Sequence, residues 1–358
     1  MPRPVVPCAR ETSGPDGRGR RRPAAVAGGA VVASAALLLS ACGGSGSGAE
    51  DAYSIGIAQP VSHPSLDAIR EGFTEAFAAA GVEAEFEEQN AQGDAATESA
   101  IAGQLADGDH DLLAPIATSQ SQQVATATAG TDLPVVFMAV TDPEDAGLVD
   151  SWEEPGANLT GTSDLNPVAK QLELLTEADA GIDTVGVLYA SGETNSEVQV
   201  ELAEEAAEEL GLTLQTSTVS ASSEVQQGVE ALADVDAIWL PTDNVVVSAL
   251  ESVIQFSEQQ DIPLLASDAE SVARGAAGAW AVDYHAIGVQ SGEMALRILE
   301  DGADPASMPV ETQEEMQLTL NPGAAERMGL DLPQELLDSA DAVVDGSGSS
   351  AEPSADAS

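Results

Sequence analysis

The sequence is poor in cysteine, histidine, basic residues and aromatics, and each shortage excludes something. Its 358 residues hold two cysteines and three histidines. Cys8 lies in a basic leader and Cys42 ends a small-residue stretch, so a chain cut before Cys42 keeps no other thiol for a disulfide, a metal or catalysis. His63, His110 and His285 are scattered, without ligand-type spacing, so no metal site is expected. Aromatics make up only 3% of the chain, which leaves Ala, Val and Leu to build the interior. After Cys42 the chain carries five basic against fifty-nine acidic groups, a net charge of −54. Such a field repels phosphate backbones and anionic headgroups, which excludes nucleic acid as a partner. No GxxxxGK or GxGxxG loop follows a strand, and no GxSxG elbow occurs. Acids are so numerous that a pair of carboxylates carries no information. Neither a cofactor nor an enzyme is expected.

Residues 18–42 combine a basic segment, an apolar run and a small-residue end, the layout of an export signal. The apolar run from Ala24 to Leu39 is too short and too weak for a membrane span. Its end, Leu39-Ser40-Ala41-Cys42, looks like a bacterial lipobox, implying cleavage after residue 41 and lipidation of Cys42. Arg21-Arg22 leaves a twin-arginine export route open. Residues 42–52 read as a flexible tether, and 345–358, low in apolar residues, as a disordered tail.

Between these ends the chain is α/β. Tyr53, Ile55 and Ile57 form a strand stopped by Pro60, Pro64 opens a helix, and Leu66, Ile69, Phe73 and Phe77 line one helical face up to Gly81. The same unit recurs. Buried strands such as LLAPIA (112–117), LPVVFMAV (133–140), VGVLYA (185–190), DAIWLP (236–241) and IPLLAS (262–267) alternate with helical stripes. The reading places helices at 122–129 and 246–259 and a crossing between halves near Asn158–Gly161. Two consecutive sets of similar length predict two parallel-sheet lobes facing each other: 53–160 with 283–313, and 161–282 with 314–344.

Directly after the buried strands stand short polar clusters: Gln59 and His63, Thr118 and Ser119, Thr141 and Asp142, Asn195 and Ser196, Asp243 and Asn244, Asp268, and Asp283 with Tyr284. Strand carboxyl ends are where doubly wound domains bind ligands. The same residue types are also preferred helix caps. One cluster alone is better read as a cap; the repetition over two halves favours a recognition site in the cleft between them.

The stretches IGIAQPVSHPSLDAIREGF, LLAPIATSQSQ, PVVFMAVTDPEDAGLV, NLTGTSD, VGVLYASGETNSEVQ, AVDYHAIGVQSGEMALRIL and LTLNPGAAERMGL resemble the lipoprotein-anchored substrate-binding components of ABC importers with the type I periplasmic-binding-protein fold, a family that includes tryptophan-binding proteins of Gram-positive bacteria. The resemblance runs from Tyr53 to about Val344. It implies two Rossmann-like lobes joined by three hinge crossings, near Thr160–Leu165, Val282–Tyr284 and Met316–Leu320, closing on a small solute such as an amino acid. Carried over, the clusters named above become the ligand contacts, with Thr118 and Ser119 holding a carboxylate and Asp243 an ammonium. Partners would be a membrane permease with its ATPase, and the membrane only through the lipid on Cys42. The protein would act as a monomer on the extracytoplasmic face. A ligand-sensing lipoprotein that presents its solute to a receptor is the alternative. This chain departs from the family in its few aromatics; Tyr284 and Phe137 are the stacking candidates for an aromatic ligand.

Overall fold

The computed structural model describes residues 52–313, 315–345 and 349–351. The leader, Cys42 and the tether up to residue 51 lie outside the described residues. Five strands come first: β1 (Tyr53–Gln59), β2 (Ala84–Asn90), β3 (Leu112–Pro115), β4 (Val135–Phe137) and β5 (Leu159–Ser163). Five more follow: β6 (Thr184–Ala190), β7 (Thr213–Val219), β8 (Ala237–Trp239), β9 (Leu264–Ala266) and β10 (Gly278–Ala281). The short β11 (Glu311–Thr312), then β12 (Gln317–Leu320), β13 (Ala342–Asp345) and β14 (Ser349–Ala351) complete the set.

They form two sheets. One has the order β11-β5-β4-β3-β1-β2, with every pairing parallel. The other runs β14-β13-β12-β10-β9-β8-β6-β7, parallel except for β10 with β12 and β13 with β14. In each sheet a strand order that reverses about the first strand to enter it opens a crevice at the strand carboxyl ends.

The chain passes between the sheets three times. It leaves the first sheet after β5, which that sheet keeps whole, so the first passage lies beyond Ser163 and not at residues 160–161. It returns after β10, where the helix Tyr284–Leu299 packs against the helix Pro64–Ala80 of the first half. The two helix backbones touch at glycines: a Cβ on Gly72 would strike the His285 carbonyl oxygen, and one on Gly288 that of Ile69. After β11 the chain crosses a last time to β12. β14 pairs with β13 inside the stretch read as a disordered tail.

The interior follows from the composition. Ala, Val, Leu and Ile fill most of both cores; Phe73, Phe77 and Phe86 form the one aromatic cluster seen among the described residues, with ring centroids 5.4–6.3 Å apart. Trp239, fully buried in the second core, satisfies its indole N–H on Gln171 Oε1 at 3.0 Å. The helix predicted at 246–259 is broken, running as Asn244–Val247 and Leu250–Gln260.

Candidate functional site

A cleft between the two sheets encloses about 440 Å³ of empty space, counted to its mouth. The first half lines it with His63, Ser65, Leu66, Ala117, Thr118, Ala139, Thr141 and Asp164. Asn195, Thr242, Asp243, Asn244, Val247 and Asp268 line it from the other side, and Tyr284 stands at the second crossing.

The backbone that builds the first wall is strained. Ala117, the residue before the helix Thr118–Ala127, has φ 67° and ψ 163°, a region open essentially to glycine alone, and Ala139 has φ 53°. Both follow buried strands and line the cleft. With alanine as its cap residue, the helix Thr118–Ala127 has no side-chain cap, so its first N–H groups remain available at the cleft wall. The helix Thr194–Leu210 opposite also begins without a side-chain cap.

Other strand-end residues are spent on caps. His63 Nδ1 accepts from Ser65 N at 3.3 Å, Asp243 Oδ1 from Val246 N at 2.7 Å, and Asp268 Oδ1 from Ser271 N at 2.7 Å. Asp243 Oδ2 also accepts from Ala190 N at 2.6 Å and from the Ser196 hydroxyl at 2.7 Å. Asp243 is therefore chiefly a brace for its own half, and the ammonium role given to it meets three donors already in place.

Two polar atoms on the wall lack partners. His63 is 4% exposed, and its Nδ1 is an acceptor, so the neutral ring carries its proton on Nε2, which has no partner. Burial holds His63 below its ordinary pKa, against the pull of Asp268. Asn195, 3% exposed, donates to Thr242 O at 2.8 Å and leaves its Oδ1 unpaired. An unmet donor on one wall and an unmet acceptor on the other cost free energy until something in the cleft satisfies both.

The site is rich in carboxyl groups. Asp164 accepts from Thr141 Oγ1 and from the Tyr284 hydroxyl, each at 3.0 Å, and burial raises its pKa to about 6. Glu193, beneath the second wall, is raised by desolvation and then by the Asp243 carboxylate beside it. Glu270 is raised to about 7 by desolvation and by Asp268. Among the described residues, no lysine or arginine lines the cleft. An anionic group there can be held only by neutral donors, while a cationic group meets acids on several sides.

Of the residues singled out in the sequence, His63, Thr118, Thr141, Asn195, Asp243, Asn244, Asp268 and Tyr284 line the cleft. Five do not. Gln59 turns back to Val61 O and Asp67 Oδ1, at 3.1 and 3.2 Å. Ser119 lies beside Glu98 on the far side of its helix start. Asp142 Oδ1 accepts from Glu144 N and Asp145 N in its own turn. Ser196 serves Asp243, and Asp283 caps the helix of Tyr284 through Ala286 N. Phe137, proposed for stacking, is fully buried in the first core and is no part of the wall. Sequence reading missed Ser65, Leu66, Ala117, Ala139, Asp164, Thr242 and Val247. Thr242 adjoins a cluster that was recognised, whereas Asp164 follows β5, a strand without an apolar run.

Paired α/β halves with a polar cleft at their facing strand ends define a solute-binding protein. The chain belongs to the ABC transporter substrate binding protein family, whose model matches residues 54–344; these proteins bind and do not catalyse. It is 36% identical over 273 residues to a tyrosine-binding protein of Clostridioides difficile, covering 75% of this chain and 78% of that one. Among solved structures it resembles a Streptococcus pneumonia domain in complex with L-Trp, at 36% identity and TM-score 0.78, covering 81% and 100% of the two chains. It also resembles the ligand-free, open structure of a substrate binding protein with adhesive properties from Clostridium difficile, at 36% identity but TM-score 0.61, covering 78% and 96%. At equal identity the liganded neighbour superposes better than the open one, the ordering expected of a closed pair of lobes.

Proposed function

We propose that this protein is the extracytoplasmic solute-binding component of an ABC importer, that it takes an amino acid, aromatic ones foremost, and that it delivers this solute as a monomer to a membrane permease driven by its ATPase. The lipid on Cys42 and the tether behind it would hold the folded part at the outer face of the membrane. The observation that carries this reading is the complementary pair of walls: unspent neutral donors on the first, whose one acid, Asp164, is engaged by Thr141 and Tyr284, and acids with an unpaired acceptor on the second. A zwitterion fits that division. Its carboxylate meets the Thr118 hydroxyl, the uncapped helix start and the His63 Nε2–H. Its ammonium meets Asn195 Oδ1 and the carboxylates near it.

The relatives that bind tyrosine and L-Trp support the substrate class. Leu66, Ala117, Ala139, Val247 and the Tyr284 ring supply apolar surface for a side chain. Closure follows from contacts made to both walls, in proportion to the solute's greater affinity for the closed state. The moving bodies are the two halves divided at the three passages. Calorimetric titration of the purified chain with the twenty amino acids tests the reading: saturable binding of an aromatic amino acid is expected, and no binding of any amino acid would overturn it.

A further inference from the structure

One hydroxyl joins the two halves at the cleft mouth in a way that demands a proton. Ser65, in the first turn of the helix Pro64–Ala80, is 4% exposed and places its Oγ 3.0 Å from Asp268 Oδ1 and 3.1 Å from Glu270 Oε2, both on the opposite half. A serine hydroxyl has a single proton and can donate to only one of these oxygens. Asp268 is the fitting acceptor. Its two oxygens already accept from Ser271 N and the Ser271 hydroxyl, each at 2.7 Å. The 3.1 Å contact with Glu270 is then a hydrogen bond only if Glu270 is the donor, its carboxyl O–H pointing at a lone pair of Ser65 Oγ.

We propose that Ser65, Asp268 and Glu270 form a proton-operated latch: the protonated Glu270 carboxyl closes the bridge between the halves, and losing that proton sets two carboxylates against one hydroxyl and releases it. The inference rests on reading the cleft as a closing ligand site, and it adds the regulation of that site by pH.

The surroundings favour the protonated form. Asp268 and Asp283 are the charges that act on Glu270, and both disfavour a further carboxylate. Burial disfavours the charged form of His63, at the cap of the Ser65 helix. Asp67 and Glu251 face the same corner and are acidic. Arg274, at the end of the Glu270 helix, is engaged by Glu251 at 2.7 Å. In an open cleft Glu270 loses Ser65 and regains water, and its pKa falls back toward the ordinary 4.5. Closure thus takes up a proton between that value and about 7, where burial and Asp268 hold the group when closed. The closed form is favoured most below the lower value and loses favour, roughly tenfold per pH unit, as pH rises through the window.

The full chain and its E270Q and S65A variants test this with two readouts. In E270Q the amide N–H replaces the carboxyl O–H and donates to Ser65 at every pH. Small-angle scattering without ligand should show the wild type expanding between pH 5.5 and 8.5, E270Q staying compact at both, and S65A expanded at both. Titration with L-tyrosine should show the wild-type Kd rising with pH over the range where the free protein opens, by up to roughly tenfold per pH unit, and that rise vanishing in E270Q. A wild type that keeps one size at both pH values, or an E270Q variant that follows the wild-type slope, would overturn the latch. If L-tyrosine fails to bind while the scattering still switches, the amino-acid reading falls and the latch stands.

Discussion

Replacing Asp164 with asparagine tests the electrostatics of the cleft without any ligand. Asp164 is 2% exposed, its two oxygens are held by Thr141 and Tyr284, and burial raises its pKa from 3.8 to about 6. The neutral carboxyl is therefore the form the folded state prefers. Its contribution to stability is fully present below pH 3.8, falls as pH rises, and is lost above about 6. The interval corresponds to about 3 kcal/mol, at about 1.36 kcal/mol per pH unit. Asparagine keeps the shape: its carbonyl can accept from Thr141, and its amide can donate to the Tyr284 oxygen. It cannot ionise. In reversible urea unfolding at pH 4.5, 5.5, 6.5 and 7.5, Asp164→Asn should gain on the wild type as pH rises. The gap should grow by ~1.4 kcal/mol per unit up to about pH 6 and stay level afterwards. Every other carboxylate is common to both proteins, so the difference isolates this one. A gap independent of pH would refute the claim that burial raises the Asp164 pKa.

Three further outcomes follow from other parts of the molecule. His63→Asn keeps a preferred helix cap for Ser65 N but withdraws the Nε2–H from the cleft, so melting should shift little while calorimetry shows L-tyrosine affinity falling ~10-fold or more; unchanged affinity would remove His63 from the site. Gly72→Ala sets two effects against each other. Helix propensity alone would stabilise by ~1 kcal/mol, but the new methyl strikes the His285 backbone, and a net loss of ~1–3 kcal/mol or more is expected in urea unfolding; a stabilised variant would mean that the two helices do not touch as described. Raising salt from 0.1 to 1 M shortens the Debye length from ~10 to ~3 Å and should raise the melting temperature of so acidic a chain. A flat salt response would show that self-repulsion among the acids is not a material cost.

The strands with apolar runs were legible, because a strand buried on both faces has to be apolar along its length. β5, LTGTS, was not. Thr160 and Thr162 are fully buried there, and what makes them tolerable lies far along the chain: Thr160 Oγ1 donates to Met308 O and Thr162 Oγ1 bonds Ser291 Oγ, each at 2.8 Å. No local pattern announces a partner more than a hundred residues away. The start of the helix at Thr118 was missed for a related reason. TSQSQQ has no apolar stripe, and its first turn is fixed by Ala117 in a conformation that no propensity scale favours. The broken helix at 244–260 looked continuous because Val246, Leu250, Val253 and Ile254 keep helical spacing across the break.

The polar clusters after the strands posed a choice between cap and ligand contact, and the structure divides them by a simple rule. Where the residue before a helix has a short oxygen-bearing side chain, as at Asp243, Asp268 and Asp283, that side chain bends back and takes the first free N–H for itself. Where it does not, as at Ala117, those N–H groups keep their capacity for something outside the helix. At Ala117 the missing cap coincides with the cleft wall. Alanine at 117, held at positive φ, costs of order 1–3 kcal/mol that a glycine would avoid and gives no hydrogen bond in return. Strain and a missing cap at one residue, on the wall of a cleft whose other face carries unpaired Asn195 Oδ1, are what a chain shaped only for stability would not keep. That coincidence supports the proposed placing of a solute's anionic end at Thr118 more than the count of polar clusters does.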